Sequence, residues 1–442
     1  MTETGRENVR DESKPGRGLV RAIGRWSLTA LVVNSVIGSG VFGLPSTIAG
    51  FLGKISPLAV LIAGAGMGVI FACFAEVASQ FPEAGGPYLY ARAAFGRAMG
   101  IQMAWMLLLG QAAAPAANAN LFVIYLGEFW PHARDPIPRA LILTLLVGIL
   151  AVINIRGVKA GTQVSNFFTA AKLVPLAAVI TMGLFVLGRH PGGVAVVNAN
   201  SITANQWLNA VLLLVFAYGG FETALAPMGE AKNAGRDAPF ALFAALLACT
   251  AIYALIQWVV VGVLPDAVHS ERPLADVARI ALGPTGAALV AIGALISFYG
   301  YLSAKILGMP RVTFALAEQG DFPKAFAAIH PRFHTPYISI LAFAILVWAF
   351  ALSGEFKWNV TLSAVARLLY YAVCCAALPM LRHKRLTQAG FRMPAGNLLA
   401  GLGVLMCAAL LTRVDFRQSL IVAGTILLGL LNWAVARQRR AG

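Results

Sequence analysis

The chain reads as an all-α polytopic membrane protein of twelve transmembrane helices: two inverted five-helix repeats, with helices 1 and 6 broken, followed by two further helices. Three observations carry that reading. Of the 442 residues, 59% are hydrophobic and only 12% charged, with a mean hydropathy of +0.76; a soluble domain carries about twice that charge. Apolar runs long enough to span a bilayer, which takes about 20 residues, recur twelve times. Two of these runs, the first and the sixth, are interrupted by small residues at matching depths.

In chain order, residues 1–25 are polar and charged and hold no apolar signal-peptide core, so they are expected to form a cytoplasmic tail. The spans are expected at 27–50, 56–80, 98–128, 138–155, 162–187, 206–229, 239–264, 281–307, 336–353, 358–380, 397–412 and 417–436. The first repeat then occupies 26–187, the second 206–380, and the two additional helices 397–436. An even number of crossings puts both termini on one side. Of the 34 Lys and Arg residues, 22 fall on that side, nine on the other and three at membrane depth. The richer side is cytoplasmic by the positive-inside rule, giving a multi-pass protein of the cytoplasmic membrane with both termini inside.

That distribution also accounts for the net charge of +16 without invoking nucleic acid. The five cysteines (Cys73, Cys249, Cys374, Cys375, Cys407) lie in apolar segments without CxxC or Cys/His spacing, and the six histidines fall in loops or polar junctions. Neither a disulfide framework nor a metal site is indicated, and no cofactor is expected.

The first interruption is Asn34-Ser35-Val36-Ile37-Gly38-Ser39-Gly40-Val41-Phe42-Gly43. Three glycines within six positions weaken a helix where lipid offers the backbone no other partner. Close helix–helix contact is one reading; a broken helix whose freed N–H and C=O groups bind a solute is the other. The second interruption, Val215-Phe216-Ala217-Tyr218-Gly219-Gly220-Phe221-Glu222, lies about as far into span 6. It favours the broken-helix reading, because paired breaks in two halves mark an inverted-repeat transporter.

Span 1 runs outward, so its second half begins near Ser39, with the N–H groups of Ser39, Gly40 and Val41 at the positive end of a helix dipole. A carboxylate fits there. The first half of span 6 ends near Ala217, so the carbonyls of Phe216 and Ala217, with that of Ile37, offer a seat for an ammonium. Gly38, Gly219 and Gly220 allow close approach of ligand to backbone. Together the two seats describe an α-amino acid. Phe216 and Tyr218 flank them, either as plain packing or as a lid or cation–π wall.

Four charges sit at membrane depth. Glu222 either caps or gates the second half of span 6 or touches substrate. Lys172 has the broken span 1 as a source of carbonyls, and acts either as a proton carrier or as a static structural lysine. Lys305, on one helix face with Tyr301, is expected first to snorkel to the inner surface, with pairing to Glu222 or contact with an anionic substrate as alternatives. Arg367 has no evident partner. Glu76, Glu128 and Glu230 lie nearer span ends, where snorkelling is the default.

At these residues the chain resembles the amino acid–polyamine–organocation (APC) superfamily of permeases over nearly its whole length. Gly38-Ser39-Gly40-Val41-Phe42 is similar to the family's span-1 motif, and Phe74 to Ser79 with Phe81 to Tyr88 to its span-2 signature and first inner loop. Glu230 to Pro239 resembles the loop after span 6; Ala317 to Pro323 and His330 to Pro336 resemble the loop after span 8. The resemblance implies alternating access, with spans 1, 2, 6 and 7 rocking against a scaffold, and amino-acid-like substrates. It also implies proton coupling without sodium, since Lys172 matches the span-5 lysine of proton-coupled members. Phe216 falls at the position of an aromatic gate and Gln111 at a polar substrate-facing position. Lys305 departs from the pattern: many members carry tryptophan or another neutral residue there, which raises anionic or other non-standard substrates.

The expected function is a secondary active transporter, a permease importing an amino acid or a related amine or carboxylate as a proton symporter, with protons and the lipid bilayer as its other partners. The alternative is an obligate exchanger, or antiporter, on the same fold. A channel would need a continuous polar pore. An enzyme would need paired carboxylates, a metal motif or a nucleophile–base set, and direct ATP drive would need a P-loop; none of these is in the sequence.

Overall fold

The computed structural model describes residues 24–81, 86–157, 162–189, 202–224, 233–384 and 390–441. All regular structure among them is helical. The first apolar run holds two helices, α1 (Arg25–Val36) and α2 (Gly40–Leu52). There follow α3 (Ser56–Ala78), α4 (Gly86–Phe95), α5 (Arg97–Leu126), α6 (Pro136–Arg156) and α7 (Thr162–Arg189). The sixth run again divides, into α8 (Ala204–Tyr218) and α9 (Phe221–Ala224). The remainder is α10 (Ala234–Val263), α11 (Pro273–Glu318), α12 (Tyr337–Ser353), α13 (Phe356–Lys384), α14 (Gly396–Leu411) and α15 (Phe416–Ala441).

Eight helical stretches among the described residues are long and apolar enough to cross a membrane, and α12 and α14 are shorter apolar helices. This is an all-helical, multi-pass membrane protein. Helix ends follow local rules: Pro136 opens α6 where its missing N–H costs nothing. Thr203 and Gln206 form a reciprocal capping box at the start of α8. Burial separates centre from edge. Most of α5 is buried and most of α15 is not, so α5 runs through the middle and α15 lies at the periphery.

Two expectations need correction. Span 8 is much longer than 281–307: α11 is kinked at Gly283 (φ 68) and continues to Glu318. Gly283 takes a left-handed turn that other residues resist, and Pro284 fits the first turn beyond it. At the far end the helix runs on through Pro310 because Thr313, Leu316 and Ala317 are buried. The stretch 81–97, read as a loop, contains α4. Its residues Tyr88 and Arg92 hold the buried carboxylate of Asp321, which Arg97 also binds at 2.6 Å. Burial and the neighbouring Asp321 push the Tyr88 hydroxyl up to about 12.

Glu76 and Glu128 do not snorkel. Arg382 grips Glu76 with two nitrogens at 2.6 and 2.7 Å, and the Met393 N–H adds a third bond at 2.8 Å. Glu128 pairs with Arg279 and, at 3.5 Å, with Arg272. Glu230, the N-terminal tail to residue 23 and the second half of span 6 after Ala224 lie outside the described residues.

Candidate functional site

α1 stops because Ile37 turns to an extended conformation (φ −70, ψ 100) after its N–H bonds to Val33 O. α2 restarts with Phe42 and Gly43 donating to Ser39 O at 3.1 and 3.0 Å. The N–H groups of Gly40 and Val41 therefore find no acceptor among the described residues and point from the positive end of α2. α8 stops in the same way, at an extended Gly219 (φ −78, ψ 167). Gly220 follows at φ +109, and a Cβ there would run into Ser35 O. Only glycine suits that position. The two breaks thus touch each other through Gly220 and Ser35.

They also touch on the α2 side. A Cβ on Gly40 would lie 3.0 Å from the Cα of Ala217. The cavity between the breaks is about 10 Å3 and is lined by Val36, Gly38, Ser39, Gly40, Asn118, Phe216, Ala217, Gly219, Tyr301 and Arg367. That is room for about one water, so an amino acid enters only when the breaks part. Polar atoms without a hydrogen-bond partner face this space: Ser39 Oγ, Asn118 Oδ1, and the Nε and Nη1 of Arg367. Buried polar atoms are normally satisfied, so a cluster of unsatisfied ones here points to a ligand.

The carbonyl side is partly occupied. Tyr253 on α10 aims its hydroxyl at Val36 O (3.2 Å) and Ala217 O (3.1 Å), carbonyls in the final turns of α1 and α8. Phe216 O already accepts from Gly219 N–H at 3.2 Å. Each oxygen keeps a second lone pair, so an ammonium would join these bonds rather than replace open acceptors.

Around the cavity lies a buried charge network. Glu222 Oε1 accepts from Gln111 Nε2 (3.1 Å) and Tyr370 OH (2.7 Å). Its Oε2 accepts from Tyr371 OH (3.2 Å) and from the Gly220 N–H (2.9 Å), so it caps the break. Arg367 Nη1 stands 3.8 Å from Glu222 Oε1. The guanidinium lies over the Phe216 ring, 5.8 Å from its centroid, and packs where a Cβ on Gly219 would overlap it. Lys305, 9% exposed, donates to Gln111 Oε1 at 2.8 Å and to Thr223 Oγ1 at 3.4 Å. Snorkelling is thereby excluded for it. Lys172 on α7 donates to Asn34 O at 3.0 Å, a carbonyl whose helical partner would have been the Gly38 N–H beyond the break.

Of the residues singled out from sequence, Gly38, Ser39, Gly40, Phe216, Ala217 and Gly219 line the cavity. Ile37, Val41, Gly220 and Glu222 belong to the breaks or their caps without lining it, and Gln111 and Lys305 sit one layer behind. Tyr218 commits its hydroxyl to Val60 O on α3 (2.9 Å) and does not line the cavity. Asn118, Tyr301, Tyr253 and Arg367 were not among the site residues read from sequence. Arg367 did carry a signal, a charge at membrane depth; Asn118 and Tyr253 carried none beyond their polarity.

Comparison with known proteins adds the following. The model of the amino acid permease family matches residues 23–430. The serine/threonine exchanger SteT of Bacillus subtilis is 31% identical over 333 residues, covering 73% of this chain and 74% of that protein. An uncharacterized transporter of Mycobacterium bovis is 29% identical over 408 residues, covering 88% of this chain and 89% of its own. A counterpart in Mycobacterium tuberculosis matches over the same length and at the same identity.

Proposed function

Since this chain belongs to the amino acid permease family, we propose that it is an exchanger, carrying one amino acid inward for another outward by alternating access at the two broken helices. The observation that carries this is the pairing of the breaks. Free N–H groups at the start of α2 face the ends of α1 and α8 across a cavity lined by unsatisfied polar atoms. The ends offer opposite partial charges, which suits a zwitterion. Ser39, Gly40 and Val41 take its carboxylate. Ile37, Phe216 and Ala217 take its ammonium, with Asn118 Oδ1 as a further acceptor. Phe216 closes over it, and Gly38, Gly219 and Gly220 give it room.

Exchange, rather than the symport expected from sequence, is favoured by the name of the Bacillus subtilis relative. The architecture assumed is that of two inverted five-helix repeats, 26–187 and 206–380, plus the pair at 397–436, with both termini cytoplasmic. In it Gln111, Lys305 and Glu222 set the geometry of the break at Gly219–Gly220 and Tyr218 anchors α8 to α3. A second reading, proton-coupled uptake, rests on Lys172: its bond to Asn34 O puts a titratable group on the end of α1. Counterflow separates the two. Proteoliposomes preloaded with unlabelled amino acid should accumulate labelled amino acid while empty ones do not. Accumulation in empty vesicles driven by an acid outside would instead establish symport.

A further inference from the structure

The structure assigns Arg367 to the substrate's side chain: we propose that the preferred substrates are α-amino acids with a second carboxylate, of the aspartate and glutamate type. This rests on the transport reading above and adds the substrate class to it.

Among the described residues, four ionisable side chains are buried around the breaks: Lys172, Lys305 and Arg367 against Glu222 alone. Both lysines have acceptors, Asn34 O for one and Gln111 Oε1 with Thr223 Oγ1 for the other. Glu222 is filled from other quarters. Gln111, Tyr370, Tyr371 and the Gly220 N–H already donate to it, and a carboxylate offers about four acceptor sites. Arg367 has the Coulomb attraction of Glu222 at 3.8 Å and the neighbouring Tyr301 and Tyr371 hydroxyls, yet no hydrogen bond at Nε or Nη1. A guanidinium 1% exposed with two nitrogens unmet is costly unless something fills them.

What fills them is constrained by place. Arg367 lines the same cavity as Ser39 and Gly40, so a molecule held by its α-carboxylate at the start of α2 presents its side chain within reach of the guanidinium. The planar fork of arginine matches a carboxylate in two-point fashion. Its orientation is fixed: the group lies over Phe216 and occupies the space that Gly219 leaves by lacking a Cβ. An acidic side chain also brings a negative charge to a cavity whose one charged lining residue is Arg367, which a serine or alanine side chain does not.

The test is counterflow in proteoliposomes with labelled L-aspartate, L-glutamate, L-serine, L-threonine and L-alanine, on the parent protein and on Arg367→Gln and Arg367→Lys. The expected result is that the parent takes the two acidic amino acids with the lowest KM. Arg367→Gln should raise KM for them by about 10- to 100-fold, the usual worth of a charge-assisted hydrogen bond, a clearly larger factor than for the neutral amino acids. Arg367→Lys should fall between. Transport of neutral amino acids with no transport of acidic ones overturns the proposal and leaves the transport reading standing. So does an equal loss for all substrates in both variants, which marks Arg367 as structural. Failure of every amino acid in the parent removes both.

Discussion

Tyr253→Phe isolates the contact that joins the two breaks. The ring stays, so no cavity forms; only the hydroxyl between Val36 O and Ala217 O is lost. A hydroxyl has one proton to give, so the change removes about one hydrogen bond and leaves a buried carbonyl short of a donor. The combined cost is about 2 kcal/mol. An unfolding entropy of about 2 cal/mol/K per residue, over the 442 residues of the chain, converts that into a fall of about 2 °C in Tm. One of the freed carbonyls, Ala217 O, is among those assigned to the substrate ammonium. Saturating amino acid at about 100 Kd stabilises the bound protein by about 2.7 kcal/mol, and by more in the variant if the ammonium takes over the vacated acceptors. Thermal unfolding of purified parent and variant, with and without substrate, reads both effects. A variant with unchanged Tm and unchanged ligand response would show that Tyr253 does not hold the ends of α1 and α8 together.

Three further outcomes are expected. Gly40→Leu should abolish transport while the protein still inserts and elutes as a single species, because even a Cβ there meets Ala217 at 3.0 Å; retained uptake would move the carboxylate seat elsewhere. Lys172→Ala should flatten the pH profile of transport; an unaltered profile would reduce Lys172 to a structural donor for Asn34 O. Asp321→Asn should lower stability by about 2–3 kcal/mol, since it strips a buried carboxylate from Arg92 and Arg97; equal stability of variant and parent would dismiss that cluster as an anchor.

The breaks were legible because glycine is expensive inside a helix with no water to compensate it, so Gly38, Gly40, Gly219 and Gly220 stand out in apolar runs. Their mutual contact was legible only from their matching depths in the first and sixth apolar runs. Long-range partnerships were not. Glu222 and its donor Tyr370 are 148 positions apart, and nothing local in either sequence window ties them together. Depth alone could say that Arg367 was buried, but not that it reaches Glu222 and Phe216. Lys305 was misjudged for a related reason: its long stem allows snorkelling, and only the position of Gln111 decides against it. α4 was hidden because Gly85-Gly86-Pro87 reads as a turn, while its helix depends on Asp321 far along the chain.

The most direct check on the account is competition against counterflow of a transported amino acid by its methyl ester and by its N-acetyl derivative. Each analogue keeps the side chain and deletes one charge of the zwitterion. The paired helix ends require both charges, so each analogue should need a concentration about 30-fold higher or more to inhibit, as expected for losing about 2 kcal/mol. Inhibition by the ester or the N-acetyl compound at the same concentration as the parent amino acid would contradict the binding of substrate between the two breaks.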